Sequence, residues 1–322
     1  MAQSGDIGIN WNQILGMMVG AASTASIFIA YAWTRRRRKI ARNERPPQQT
    51  KILRPPGYSL HCQIDDLSEK FSFAVMQSVL AGATFGMICS GFYPLIEGLV
   101  LQRFTYAQMS APPRFYLIYA SLLLAMSTLA WLIASVVKAV QHHRLIQNYR
   151  FGLRGEQAVA EALADASVAE AGYVVFHDVP GDGAWNVDHI VIGPGGIFVL
   201  ETKTRPRRTP TRKQPDQQVW FDGKKLQFPW CYDCKAVGQA ERNAGWVKEF
   251  VAGFAPKNIV VQPVVVVPGW FVEPPDGNWP VKAMNAAYLA KHLAIYSKRR
   301  FTSAELQPLI RRFDERCRDL EF

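Results

Sequence analysis

Cysteine is scarce in this chain: five residues at irregular spacing, an odd number, make no disulfide framework and read most simply as reduced thiols. Cys231 and Cys234 form a lone CxxC. Neither Cys317 nor the histidines supply the second ligand pair that zinc needs, so the two read as structural thiols. Acidic side chains are also in deficit, 26 against 37 Lys and Arg, leaving a net charge of +11. That excess suits anionic lipid or nucleic acid as a partner, and the placement of the cations must decide between them. With 322 residues and 49% hydrophobic content, the chain can hold a sizeable core and favours two structural units over one.

Charge is nearly missing from three stretches. Ile14 to Trp33 is about the ~20 residues needed to cross a bilayer. It lacks the preceding positive charge and the following cleavage site of a secretory signal, and Arg35 to Lys39 follow at once. Residues 1–40 therefore read as a transmembrane anchor (span 14–33) with a basic stop. Phe73 to Val100 and Phe115 to Val137 are separated by a loop containing Tyr106, Pro112 and Pro113 whose only cations are Arg103 and Arg114. Lys138, His142, His143, Arg144 and Arg150 follow the last stretch. This asymmetry makes 73–137 a transmembrane hairpin and 138–150 a basic connector. Residues 41–72, broken by Pro46, Pro47, Pro55 and Pro56 and without sustained periodicity, read as a cytoplasmic linker. The expected protein is multi-pass in the plasma membrane, of the bacterial inner-membrane kind, with its C-terminal domain in the cytoplasm. Gly16 with Gly20 and Gly82 with Gly86 have the small-xxx-small spacing that would serve a homo-oligomer, although packing within one subunit explains them more readily.

In the second half, Asn186 to Lys203 reads as two apolar strands joined by a Gly-Pro-Gly-Gly turn. Pairing Ile192 with Ile197 sets Asp188 opposite Glu201 and puts Lys203 on their face. Val187, Val191, Phe198 and Leu200 line the other face, so the hairpin is expected to be buried on both sides. Two like charges facing each other there repel unless a proton or a cation lies between them. Upstream, Leu153, Ala160 and Leu163 form one helical stripe over 152–166, and Glu156 shares it.

The spacing of Asp188, Glu201 and Lys203, D-x12-E-T-K, resembles the metal-dependent PD-(D/E)xK nuclease superfamily. The flanks sharpen the likeness. GLRGEQAVAEAL, NVDHIVIGPGGIFVLETK and VWFDGKKL, with Gln239 and Asn243 downstream, resemble a nuclease-related (NERD) domain over Phe151 to about Val281. The resemblance implies an α+β or α/β fold in residues 151–322, with an αβββαβ core and a mixed sheet flanked by helices. It implies a Mg²⁺-dependent (or Mn²⁺-dependent) phosphodiesterase acting on DNA, or on RNA. Asp188, Glu201 and Glu156 would be metal ligands together with the backbone carbonyl of Thr202. Lys203 would position the attacking water or stabilise transition-state charge, and Gln239 would point into the cleft. Asn243 stands where related exonucleases often have tyrosine, so its role stays open. The rival reading is a catalytically inactive module that tethers nucleic acid at the membrane.

Other features leave choices open. Arg205, Arg207, Arg208, Arg212 and Lys213 follow Lys203 in a proline-interrupted loop suited to phosphate contact. Trp220 and Phe221 precede an Asp222-Gly223 turn, and the sequence does not separate base stacking from core packing for them. Pro263 within Ile259 to Val267 suggests an edge, a bulge or two shorter strands. Thr302 and Glu305 have capping-box spacing before the last helix.

Overall fold

A computed structural model describes residues 51–101, 112–207, 217–273, 279–296 and 301–318. The expected first span, its basic stop, and Arg208, Arg212 and Lys213 lie outside these residues. The chain divides into two units, one comprising 1–44 and 66–146, the other 45–65 and 147–322.

In the first unit, helix α1 (Tyr58–Leu101) from Asp66 onward and helix α2 (Pro112–Leu163) as far as Ile146 run antiparallel. Ser78 donates to the Ser135 hydroxyl at 3.1 Å, Phe71 meets the His143 ring, and Gly82 faces Leu132. Gly86 faces nothing within 4 Å, so only one member of the glycine pair takes part in this contact. Both helices contain an 18-residue window long and apolar enough to cross a membrane, and those windows are only 17% and 11% buried. Among the described residues, then, two helices are long and apolar enough to cross a membrane and bury little of their apolar surface within the protein.

Neither helix respects the boundaries expected from apolar runs. α1 begins at Tyr58, directly after the breakers Pro55, Pro56 and Gly57, so the last part of the segment expected as a linker is helical. α2 continues without a break through 138–150 as far as Leu163. Gly152 and Gly155 interrupt nothing, since an isolated helical glycine costs only about 1 kcal/mol.

The second unit contains α2's last turns, α3 (Ala166–Glu170), β1 (Val174–Pro180), β2 (Asn186–Gly193), β3 (Gly196–Thr202), β4 (Gln218–Phe221), β5 (Leu226–Phe228) and β6 (Cys231–Asp233). Then come α4 (Lys235–Val251), β7 (Val261–Val266), β8 (Phe271–Glu273), β9 (Lys282–Met284), α5 (Leu289–Tyr296) and α6 (Ser303–Cys317). Five strands form a mixed sheet in the order β1-β2-β3-β7-β9, and four form a second sheet, β6-β5-β4-β8. The helix, three antiparallel strands, helix and returning parallel strand give the αβββαβ core and flanked mixed sheet.

The β2–β3 hairpin has the register read from its turn: Ile192 pairs with Ile197 and His189 with Leu200. Both faces are covered. Ile190, Ile192, Ile197 and Val199 pack against Ala244, Val247 and Val251 of α4 and against Leu306, Leu309 and Phe313 of α6. Val191, Phe198 and Leu200 pack against Val159 and Leu163 of α2 and Leu289 and Leu293 of α5. Val187, expected with Val191, instead joins the α4–α6 cluster. It lies where Asp178, at φ 49°, interrupts the β1–β2 ladder.

Pro263 is in β7 between two neighbours, opposite Val199, but the ladder to β9 begins only at Val264. Its missing N–H thus falls where β7 has one partner strand, which is how a proline is accommodated in an interior strand. The Thr302–Glu305 capping box is formed and starts α6.

Candidate active site

Continuing the hairpin register one step past His189 and Leu200 sets Asp188 across from Glu201 at the open end of the ladder. Both are buried, at 8% and 4% exposure. Asp188 Oδ2 accepts the Thr202 amide at 2.7 Å, and Glu201 Oε2 accepts Asn243 Nδ2 at 3.2 Å. Glu156 joins them from α2. Its turn is brought close by Gly155, whose missing side chain leaves room for Thr204; a Cβ there would stand 1.8 Å from the Thr204 hydroxyl. Glu156 Oε2 is buried without a hydrogen-bond partner.

These carboxylates share one electrostatic problem. Burial, followed by the charges of Asp188 and Asp178, pushes Glu156 up to about 9. Burial also lifts Asp188 to about 7, the Thr202 amide and Lys203 opposing the rise and Asp178 adding to it. Glu201 is raised well above the ordinary range by burial and by Asp188, against the pull of Lys203 and Arg242. The group therefore needs protons or a cation to be accommodated.

A fourth carboxylate, Asp178, was not legible as part of this group. Its counterpart across the β1–β2 register is Asp188, since His177 pairs with His189 and Val179 with Val187. It is fully buried, and its partners come from the segment leading into α1, from the first turn of α1 and from the start of β2. Arg54 Nη1 donates to Oδ2 at 3.0 Å; the Ser59 hydroxyl and amide donate to Oδ1 at 2.6 and 3.2 Å, and Asn186 Nδ2 at 2.9 Å. The same segment is fastened to the end of α6: Arg54 N donates to the Cys317 carbonyl and Arg318 to the Lys51 carbonyl. The only local signal was a charged residue inside an apolar strand.

The remaining expected residues are distributed as follows. Thr202 supplies its amide to Asp188, while its hydroxyl is buried without a partner. Lys203 acts on Asp188 and Glu201 but is ion-paired at 3.2 Å with Asp233, the second of the two residues inside the CxxC. Arg205 reaches the same oxygen at 2.5 Å, and Asp233 also accepts the Lys235 and Ala236 amides at the start of α4. Burial alone would raise Asp233; the Ala236 amide, Lys203 and Arg205 outweigh it and hold the carboxyl below its usual value. Arg207 donates to the Gly269 carbonyl. Gln239 is half-buried one turn before Asn243, and it is Asn243 that reaches Glu201. Cys231 and Cys234 are free thiols.

An all-oxygen donor set with one orphaned acceptor has the chemistry that suits a hard divalent cation. The side chains are not gathered around a point: among the described residues no three His, Cys, Asp or Glu groups are placed to hold a metal ion.

Compared with family models, residues 151–268 match that of the nuclease-related domain. The chain carries a nuclease-related domain. The match begins within α2 and ends just after β7, so it contains Glu156, Asp178, Asp188, Glu201, Lys203 and Asn243. Arg54, Ser59, α5 and α6 lie outside it. No curated protein and no solved structure matches the chain. The domain makes the function nuclease-related and implies interaction with nucleic acid.

Proposed function

We propose that the chain is a membrane-anchored phosphodiesterase that hydrolyses DNA at the cytoplasmic face with Mg²⁺ or Mn²⁺. The observation that carries this reading is the buried group of Glu156, Asp188 and Glu201 beside Lys203, within a nuclease-related domain. Asp188, Glu201 and Glu156, with the Thr202 carbonyl, would hold the ion, which would supply Lewis-acid stabilisation of charge on the phosphate. Asn243 orients Glu201, and the Thr202 amide fixes Asp188. Lys203 brings a positive charge to the same end of the sheet. There it can stabilise the negative charge on the phosphoryl and leaving oxygens as water attacks and the ester oxygen departs. The apolar windows of α1 and α2 support the membrane anchor, and the cations after Val137 support a cytoplasmic C-terminal unit in a bacterial-type inner membrane.

One observation favours a second reading, a tether that binds nucleic acid without cutting it: Asp233 already engages Lys203. The two readings part on the full chain in detergent, incubated with linear, circular and single-stranded DNA and with RNA in Mg²⁺, Mn²⁺ or EDTA. A fragment starting at Arg144 would lack Arg54 and Ser59 and so would not test the intact site. We expect metal-dependent cleavage that Asp188→Asn lowers to background, with metal raising the melting temperature of the parent but not of the variant. Binding of nucleic acid without cleavage under any metal would make the protein a tether.

A further inference from the structure

The nuclease-related match starts at 151, yet residues 51–59, which precede α2 and most of α1, reach the carboxylates inside it. This segment is fastened before it arrives there. Arg54 N donates to the Cys317 carbonyl at 3.1 Å, Arg318 Nη1 donates to the Lys51 carbonyl at 3.2 Å, and Leu53 packs against the α4–α6 cluster. Tyr58 N then closes a turn onto the Pro55 carbonyl at 3.2 Å, and α1 starts.

The segment meets the carboxylate group at two points. At the first, Gly57 has φ 71° and passes so close to α2 that a Cβ would stand 2.3 Å from Leu153 Cδ1 and 3.4 Å from Glu156 Oε2. Only glycine adopts that backbone conformation freely. At the second, Arg54 and Ser59 engage Asp178. With Asn186 they give this carboxylate four hydrogen bonds: Arg54 Nη1 to Oδ2, and the Ser59 hydroxyl, the Ser59 amide and Asn186 Nδ2 to Oδ1. Glu156 Oε2, beside Gly57, accepts none among the described residues. The β1–β2 ladder skips Asp178 and Asp188, and the Asn186 side chain crosses that gap. Two neighbouring buried carboxylates are thus treated oppositely, one saturated with donors and the other left open.

We infer that residues 51–59 are a strap that completes the cation site from outside the nuclease-related domain, with Arg54 and Ser59 as positioning residues that occupy Asp178 and leave Glu156, Asp188 and Glu201 to the ion; that an ion is bound there rests on the reading above. A buried carboxylate without donors turns to whatever cation is near, so an unoccupied Asp178 would compete with the other three. Groups that bond around the ligands without touching the ion fix the ligands' orientation, and removing one weakens metal binding by about 10- to 100-fold. A strap that served only to hold the fold together has its anchors at Lys51, Leu53 and Cys317. It would need neither a left-handed glycine against Glu156 nor its guanidinium on a carboxylate of the site.

The test is Mn²⁺ binding to the full chain in detergent, with free Mn²⁺ read from its electron paramagnetic resonance signal. The site's own ion is the one that Asp188→Asn abolishes. Ser59→Ala keeps the Ser59 amide bond and the Arg54 pair, so it loosens the strap in the folded protein; Mn²⁺ affinity should fall about tenfold. Ser59→Thr restores the hydroxyl and should bind within about twofold of the parent. Leu293→Val, which removes a buried methylene from the α2–α5 side of the sheet, is the control for lost stability and should bind as the parent does. Parental affinity in Ser59→Ala, or an equal loss in Leu293→Val, overturns the proposal. Adding DNA separates it from the reading beneath it. Mn²⁺-dependent cleavage by the parent with parental Mn²⁺ affinity in Ser59→Ala removes the strap and leaves the nuclease; Ser59-dependent Mn²⁺ binding without cleavage by the parent removes the nuclease and leaves the strap. A parent that binds no Mn²⁺ removes both.

Discussion

In the five-stranded sheet, β2 and β3 are buried on both faces, and Asp188 and Glu201 are carboxylates held inside at one end. In the four-stranded sheet each strand hides one face and shows the other, so its polar and aromatic side chains meet water. The buried carboxylate of each sheet is paired differently. Asp178 in the first sheet has one guanidinium, from a segment 124 residues away, whereas Asp233 in the second is shared by Lys203 and Arg205. A polar residue in a sheet closed on both sides must be accounted for by a partner, a proton or a ligand; in a sheet with an open face it needs no such account.

The largest effect should come from breaking that asymmetry at its ion pairs. Arg54→Ala leaves Asp178 buried beside other carboxylates and should cost about 3 kcal/mol, read as unfolding of the full chain in urea. Arg205→Ala should cost under about 1 kcal/mol, because Lys203 remains on Asp233 and Arg205 is 35% exposed. Equal losses would mean that the two sheets do not treat charge differently.

The pH dependence of stability should sharpen the contrast further. Glu156 is raised from 4.5 to about 9 and Asp188 from 3.8 to about 7. The folded state therefore holds more protons than the unfolded state within those windows, so this contribution is complete below the ordinary values and is lost as pH rises through the raised ones. Burial acts the other way on His177, lowering it from 6.5 to about 4, and its contribution is lost as pH falls between those values. From pH 6.5 to 9 the carboxylates act without that opposition. In EDTA, stability should fall by on the order of 1 kcal/mol per pH unit over that range, and Glu156→Gln should flatten the slope. Parallel pH profiles for parent and variant would show that Glu156 does not carry the proton. The smallest effect belongs to the open sheet: Trp220→Ala should change stability by less than about 0.5 kcal/mol. A loss of 2 kcal/mol or more would reveal Trp220 as packing rather than as a surface residue.

The hairpin register, the burial of both its faces and the arrival of Glu156 on a helical stripe were legible in the sequence. Each depends on a local period: two along a strand, 3.6 along a helix, and a turn that fixes pairing. The family resemblance was carried by the same contiguous phrases. The sequence did not show that Pro263 sits where one flank of β7 is unpaired, because strand order is not a local property. It left Asn243 open, and only the docking of α4 on β3 gives it Glu201. It gave Lys203 a role at the reacting phosphate and Arg205 a place in a phosphate-contacting loop, and did not show that Asp233, at the end of β6, pairs with both.

By itself, then, the sequence determined the carboxylate hairpin and the apolar helices, because periodicity and turn chemistry act over a few residues. Tertiary structure alone decided that Arg54 and Ser59 close on Asp178 and that Trp220 faces outward while Phe221 faces inward. Those outcomes depend on which surfaces meet across more than a hundred residues, or on which side of a sheet is covered, and side-chain spacing along the chain does not encode that directly.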